Sequence, residues 1–101
     1  TSGLMVSAKT GHINHINKEA LRLFNIPHLS HVKSLSNLDQ KLYAAVEGLQ
    51  PDSRTECTLQ DKEIRIKKVL GLQCVEINLK GEDVRIVTIQ DLSLEMERKE
   101  C

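Results

Sequence analysis

Ile89-Gln90-Asp91-Leu92-Ser93 runs without interruption into Leu94-Glu95-Met96-Glu97-Arg98-Lys99-Glu100, and the pattern changes character within that span. Upstream, from Val84 to Asp91, successive residues of an extended strand alternate faces, so Val84 and Ile86 point one way and Val87 and Ile89 the other. Both faces carry large apolar side chains, and the second face is expected to be covered by another element or another chain. Downstream, charge takes over, while Leu92, Met96 and Lys99 recur at four- and three-residue steps. That spacing fits either a solvated helix end or the start of a seam between two parallel helices. The deciding feature is thus a two-faced strand that passes directly into a charged helix.

Working back from that strand, Lys80-Gly81-Glu82-Asp83 forms a turn. Before it the sequence predicts strands over Thr55 to Gln60 and over Ile64 to Leu79, the latter broken near Gly71. Late in the long strand Val75, Ile77 and Leu79 line one face while Glu76 and Asn78 point to the other, so one side of it is wet. Gly48, Pro51 and Asp52 end a preceding helix. Its stripe of Leu35, Leu38, Leu42, Val46 and Leu49 must be buried, and Ser36 with Asp39 resembles a capping box at its start. His28-Leu29-Ser30-His31 has neither period and reads as a connecting loop. A first helix opens at Asn17, a residue suited to cap free amides, and runs to about Asn25. In it Ala20, Leu21 and Phe24 share a face, and Pro27 prevents continuation. At the beginning Leu4, Val6 and Ala8 alternate, Lys9-Thr10-Gly11 turns, and a second strand covers His12 to Ile16, completing a hairpin.

Composition narrows the function classes. At 101 residues the chain supports one domain with its own core. Fourteen basic and fourteen acidic side chains cancel, leaving no net field to gather a nucleic-acid backbone, so nucleic acid is not expected as a partner. Phe24 and Tyr43 are the only aromatic residues, which argues against stacking on a planar cofactor. No GxSxG, HExxH or P-loop pattern occurs, and no catalysis is expected. Cys57, Cys74 and Cys101 are widely spaced and form no CxxC pair, which fits a reducing, cytoplasmic setting. Cys57 and Cys74 fall on or near strands, where a free thiol behaves as a small hydrophobe, and Cys101 is expected to be exposed and open to adventitious crosslinking. No apolar run is long enough to cross a bilayer, although a parent protein could be anchored elsewhere. The chain starts at Thr1 and stops inside a charged helical pattern, as expected of an excised segment.

Two strands, a helical middle and three antiparallel strands leading into a helix resemble the element order of the PAS family of sensor domains. Gly11-His12-Ile13-Asn14-His15-Ile16-Asn17-Lys18-Glu19-Ala20 is similar to that family's early signature, in which a Gly turn and a strand lead to an Asn that opens the first helix. Leu21-Arg22-Leu23-Phe24 continues it. Ile89-Gln90-Asp91-Leu92-Ser93 resembles the closing motif, an Asp, an aliphatic residue and a Ser or Thr where the last strand becomes the signalling helix. With Glu95, Glu97 and Glu100 behind it, Gln90-Asp91-Leu92 is similar to the PAS module upstream of the kinase core in nitrogen-regulation-type sensor histidine kinases.

The resemblance implies an α+β fold: a PAS-like five-stranded antiparallel sheet with helices on one face and a C-terminal signalling helix. Residues 1–91 would be the sensor domain and residues 92–101 the start of the helix leading to an effector. It implies a homodimer that regulates a histidine kinase core further along the same chain, with Gln90, Asp91, Leu92 and Ser93 as the signal relay. The alternative is a small-molecule or haem receptor domain in another signalling protein. No cofactor is assigned; His28 and His31, at the border of the family's cavity, are the candidate haem ligands. His12 and His15 have a spacing seen in metal sites but fall on opposite faces of a strand, so no metal site is expected there. A flavin photosensor would need a Cys in the helical region, which has none.

Overall fold

The computed structural model describes residues 2–60 and 67–93. Its elements are β1 (Gly3–Ala8), β2 (Ile13–Ile16), α1 (Lys18–Phe24), a 3-10 turn over Val32–Ser34, α2 (Leu35–Leu38), α3 (Gln40–Gly48), β3 (Arg54–Gln60), β4 (Lys67–Leu79) and β5 (Glu82–Asp91). The strands form one antiparallel sheet in the order β2-β1-β5-β4-β3. The first and last strands are therefore neighbours in its middle, with Gly3 opposite Ile89 and Ala8 opposite Val84. The helical segment between β2 and β3 packs on one face.

Local chemistry explains the element ends. Asn17 sits in an extended conformation and its side-chain oxygen accepts from the Ala20 amide at 2.9 Å, opening α1. Asn25 takes the left-handed conformation (φ 58°), and the Asn25 and Ile26 amides return to the Arg22 and Leu21 carbonyls, closing the helix before Pro27 is reached. The predicted single helix with its Leu35-to-Leu49 stripe is interrupted at Asp39. That residue is extended (φ −162°, ψ 120°), and its carboxylate accepts from the Lys41 and Leu42 amides, starting α3 afresh. No capping box forms: the Ser36 hydroxyl donates to the Lys33 carbonyl instead. Leu35, Leu42, Val46 and Leu49 are still buried, because both short helices lean on the same core.

Two strands present their faces otherwise than the pattern predicts. In β1 the buried positions are Gly3, Met5 and Ser7, and the alternating Leu4, Val6 and Ala8 lie half-buried on the outer face. In β4 the core side chains are Leu70, Leu72 and Cys74, whereas Val75, Ile77 and Leu79 are 36%, 39% and 55% exposed. From Val75 onward both faces of β4 are exposed, Glu76 and Asn78 as expected and the apolar Val75, Ile77 and Leu79 with them. The facing follows from register: Cys74 opposes Val87 and Leu72 opposes Ile89, so the parity of β5 that meets the helices determines which parity of β4 does. No break occurs at Gly71, which pairs with both Glu56 and Gln90; the predicted start at Ile64 lies outside the described residues.

Between helices and sheet, Met5, Leu23, Phe24, Leu35, Leu42, Leu70, Leu72 and Ile89 are each at most 1% exposed. Each such side chain contributes about 1.5–3 kcal/mol on leaving water. The expectation for β5 matches the register: Val87 and Ile89 join this core, while Val84 and Ile86 lie on the outer face between Ala8 and Val6 of β1 and Ile77 and Val75 of β4.

Candidate functional site

The backbone at the end of β5 turns a corner that β4 holds in place. Asp91 is the last paired residue, opposite Leu70. The Leu92 amide donates to the Val69 carbonyl at 2.7 Å, and the Val69 amide donates to the Ser93 hydroxyl oxygen at 3.0 Å. The Ser93 amide donates to Asp91 Oδ1 at 2.9 Å. Asp91 and Ser93 thereby satisfy the free polar groups that appear where a strand stops and a helical turn begins. The Leu92 side chain folds onto the outer face over Gly71, where a β-carbon would come within 2.9 Å of Leu92 Cδ1. Gln90 points outward and its amide nitrogen reaches the Ser2 hydroxyl at 3.4 Å.

Charge gathers at the same corner. Partial burial by itself pushes the Asp91 carboxyl up, but the Ser93 amide and hydroxyl, then Lys68 and Arg22, outweigh it and hold the carboxyl below its ordinary value. Lys68 Nζ also donates to the Leu23 carbonyl near the end of α1 at 3.4 Å. Arg22 pairs with Glu19 on α1 at 2.6 Å. Of the four consecutive residues expected to form the relay, Asp91, Leu92 and Ser93 make up the corner while Gln90 points away to Ser2, and β4 adds Lys68, Val69 and Gly71. Only Gly71 carried a signal, since a glycine inside a strand often marks the close approach of another group. The continuing helix from Leu94 and the Leu92–Met96–Lys99 seam lie outside the described residues.

The remaining candidates are dispersed. His28 is exposed. His31 is half-buried, its ring lies over Gly11 (φ 97°), and its Nδ1 accepts from the Lys33 amide at 3.1 Å, so that nitrogen caps the 3-10 turn. Neither imidazole belongs to the buried core, where the loop contributes Leu29 and Val32 instead, so these residues do not fit axial ligation of a haem held between helices and sheet. His12 and His15 are both exposed, and no cluster of three metal-ligating side chains occurs among the described residues. Cys57 and Cys74 are free and buried; burial, helped by Asp39 and opposed by Lys41, pushes the Cys57 thiol up. Cys101 lies outside the described residues.

One open concavity reaches the corner. It lies on the outer face, lined by Arg54, Glu56, Gln73, Thr88, Gln90 and Leu92 among others. No helix among the described residues is long and apolar enough to cross a membrane.

A five-stranded antiparallel sheet with a helical segment on one face is the arrangement of PAS domains. Solved structures agree. The PAS domain of a Desulfitobacterium hafniense protein superposes with a TM-score of 0.60 at 13% identity, over 90% of this chain and 92% of that one. The PAS domain of an HTR-like protein from Haloarcula marismortui gives 0.59 at 15% identity, over 89% and 85%. A PAS domain from a two-component sensor histidine kinase gives 0.59 at 6% identity, over 89% and 84%. The chain therefore has the PAS fold. No family model and no curated protein matches the sequence.

Proposed function

We propose that this chain is the regulatory PAS module of a two-component sensor histidine kinase of the nitrogen-regulation type, acting as a homodimer on a kinase core further along the same polypeptide. In this reading residues 1–91 are the module, residues 92–101 begin the connecting helix, and the protein works in the cytoplasm. The module contributes no catalytic group; it changes where a helix starts and in which direction it leaves.

The observation that carries this reading is the corner itself. Asp91 and Ser93 cap the turn, Val69 holds both backbone and hydroxyl, and Leu92 is seated on Gly71. A movement of β5 against β4 cannot be absorbed by a slack linker there and must reorient the segment that leaves the corner. The core next to the corner is built of fully buried aliphatic and aromatic side chains, which favours a mechanism based on two packed arrangements of helices against sheet. A histidine kinase is the parent of one superposable PAS domain, and the outer face with Val75, Ile77 and Leu79 suits a second copy.

The test is Asp91→Ala in the full-length protein. The substitution removes the cap on the Ser93 amide, and basal autophosphorylation or its response to stimulus should change severalfold while the domain stays folded. Unchanged autophosphorylation and response would sink the relay.

A further inference from the structure

Helix α3 ends without the usual devices. Its last turn contains no basic residue, and Leu49 after it is extended (φ −72°, ψ 119°) instead of left-handed. The Leu49 amide returns to the Val46 carbonyl at 3.3 Å, which leaves the Leu49 carbonyl and the negative end of the helix dipole to find a partner elsewhere. Arg85 supplies it from the middle of β5. One guanidinium nitrogen donates to the Leu49 carbonyl at 2.6 Å and to the Val46 carbonyl at 3.3 Å, and lies 3.5 Å from Cys74 Sγ. On the other side Arg85 Nε lies 3.9 Å from Glu76 of β4.

Arg85 is also out of place for a surface cation. It shares the inward parity of Val87 and Ile89, opposite the buried Ser7 on β1 and Glu76 on β4. At this end of the sheet the space between α3 and β5 is thus bridged by a charged side chain with direction-dependent bonds. An apolar contact can slide by an ångström at little cost; a guanidinium held by helix carbonyls cannot. The same strand ends six residues later at the corner of Asp91.

We infer that Arg85 is the positioning residue that couples the C-terminal end of α3 to β5, so that a shift of the helix is passed to the output strand through its guanidinium. This deepens the proposed function and rests on it for its biological meaning. The coupling itself is a property of this chain and is testable without a kinase.

Gly48 offers a clean perturbation, since a β-carbon there would meet nothing within 4 Å while alanine stiffens the last turn of α3. Amide NMR spectra of the chain with Gly48→Ala should show shifts at the end of α3 and also along Val84 to Val87 of β5. In an Arg85→Met background the same substitution should shift α3 alone. Arg85→Lys, whose shorter side chain has no rigid planar fork to reach the α3 carbonyls with one nitrogen while Nε faces Glu76, should reduce the β5 shifts, and it serves as the test variant if the methionine variant does not fold. Equal β5 shifts in all backgrounds, or none in the parent chain, would overturn the assignment. Intact coupling in a protein whose kinase ignores Asp91→Ala would instead overturn the functional reading and leave this one standing.

Discussion

Asn17 shows how much a single side chain can organise. Its oxygen accepts from both the Ala20 and the Leu4 amides at 2.9 Å, and its amide nitrogen donates to the Ser2 carbonyl at 3.1 Å. It therefore caps α1 and fastens the start of β1. Asn17→Ala should cost about 1–2 kcal/mol, more than an isolated cap, because two amides lose their acceptor; a urea midpoint unchanged from the parent chain would contradict this. The capping role was legible in the sequence, since Asn before a helical pattern has few other uses. The bonds to Ser2 and Leu4 were not, because they join residues more than a dozen positions apart. Arg85 was illegible for the same reason: a charged residue at a core parity is noticeable, but the carbonyls it serves belong to a helix 36 and 39 residues away.

Among the elements, close approach is governed by two glycines with opposite consequences. A β-carbon on Gly3 would lie 2.9 Å from the Ala20 backbone, where α1 crosses β1, whereas one on Gly71 would meet only the tip of Leu92 at 2.9 Å. Backbone cannot yield as a flexible side chain can. Gly3→Ala should therefore destabilise the chain by about 1–3 kcal/mol. Gly71→Ala should cost less than about 1 kcal/mol yet displace Leu92 and shift the amides of Leu92 and Ser93. Denaturation curves and amide spectra of the two variants decide the matter, and a more damaging Gly71→Ala would refute the contrast. Element existence and order were readable from hydrophobic period and turn residues. The facing of β1 and β4 was not, because Leu4, Val6 and Ala8, like Val75, Ile77 and Leu79, look the same in sequence whether they meet helices or an outer partner.

At the scale of the whole molecule, the outer face of the sheet is the main apolar surface that no described helix covers. Leu4, Val6 and Ala8 of β1, Ile86 of β5, and Val75 and Ile77 of β4 lie side by side across three strands around the buried Val84. If the proposed homodimer forms there, Ile77→Glu should convert a dimer to a monomer in sedimentation velocity without changing the far-ultraviolet circular dichroism. A parent chain that sediments as a monomer, or a variant that remains dimeric, would place the interface elsewhere or remove it.

The sequence by itself determined the kinds and order of the elements, the two-faced character of β5 and the residues at its corner. These are encoded within short windows, by periods of two or three to four residues and by side chains that bond their own backbone neighbours. Only the tertiary structure decided which face of β1 and β4 meets the helices, that Asp39 divides the predicted long helix, that Val69 and Gly71 hold the corner and that Arg85 caps α3 from another strand. The break at Asp39 is a local cap whose residue type fits the first turn of a helix as readily as its start; the others depend on register across the sheet or on contacts between distant segments, and a one-residue change of register would reverse every face without altering any local signal.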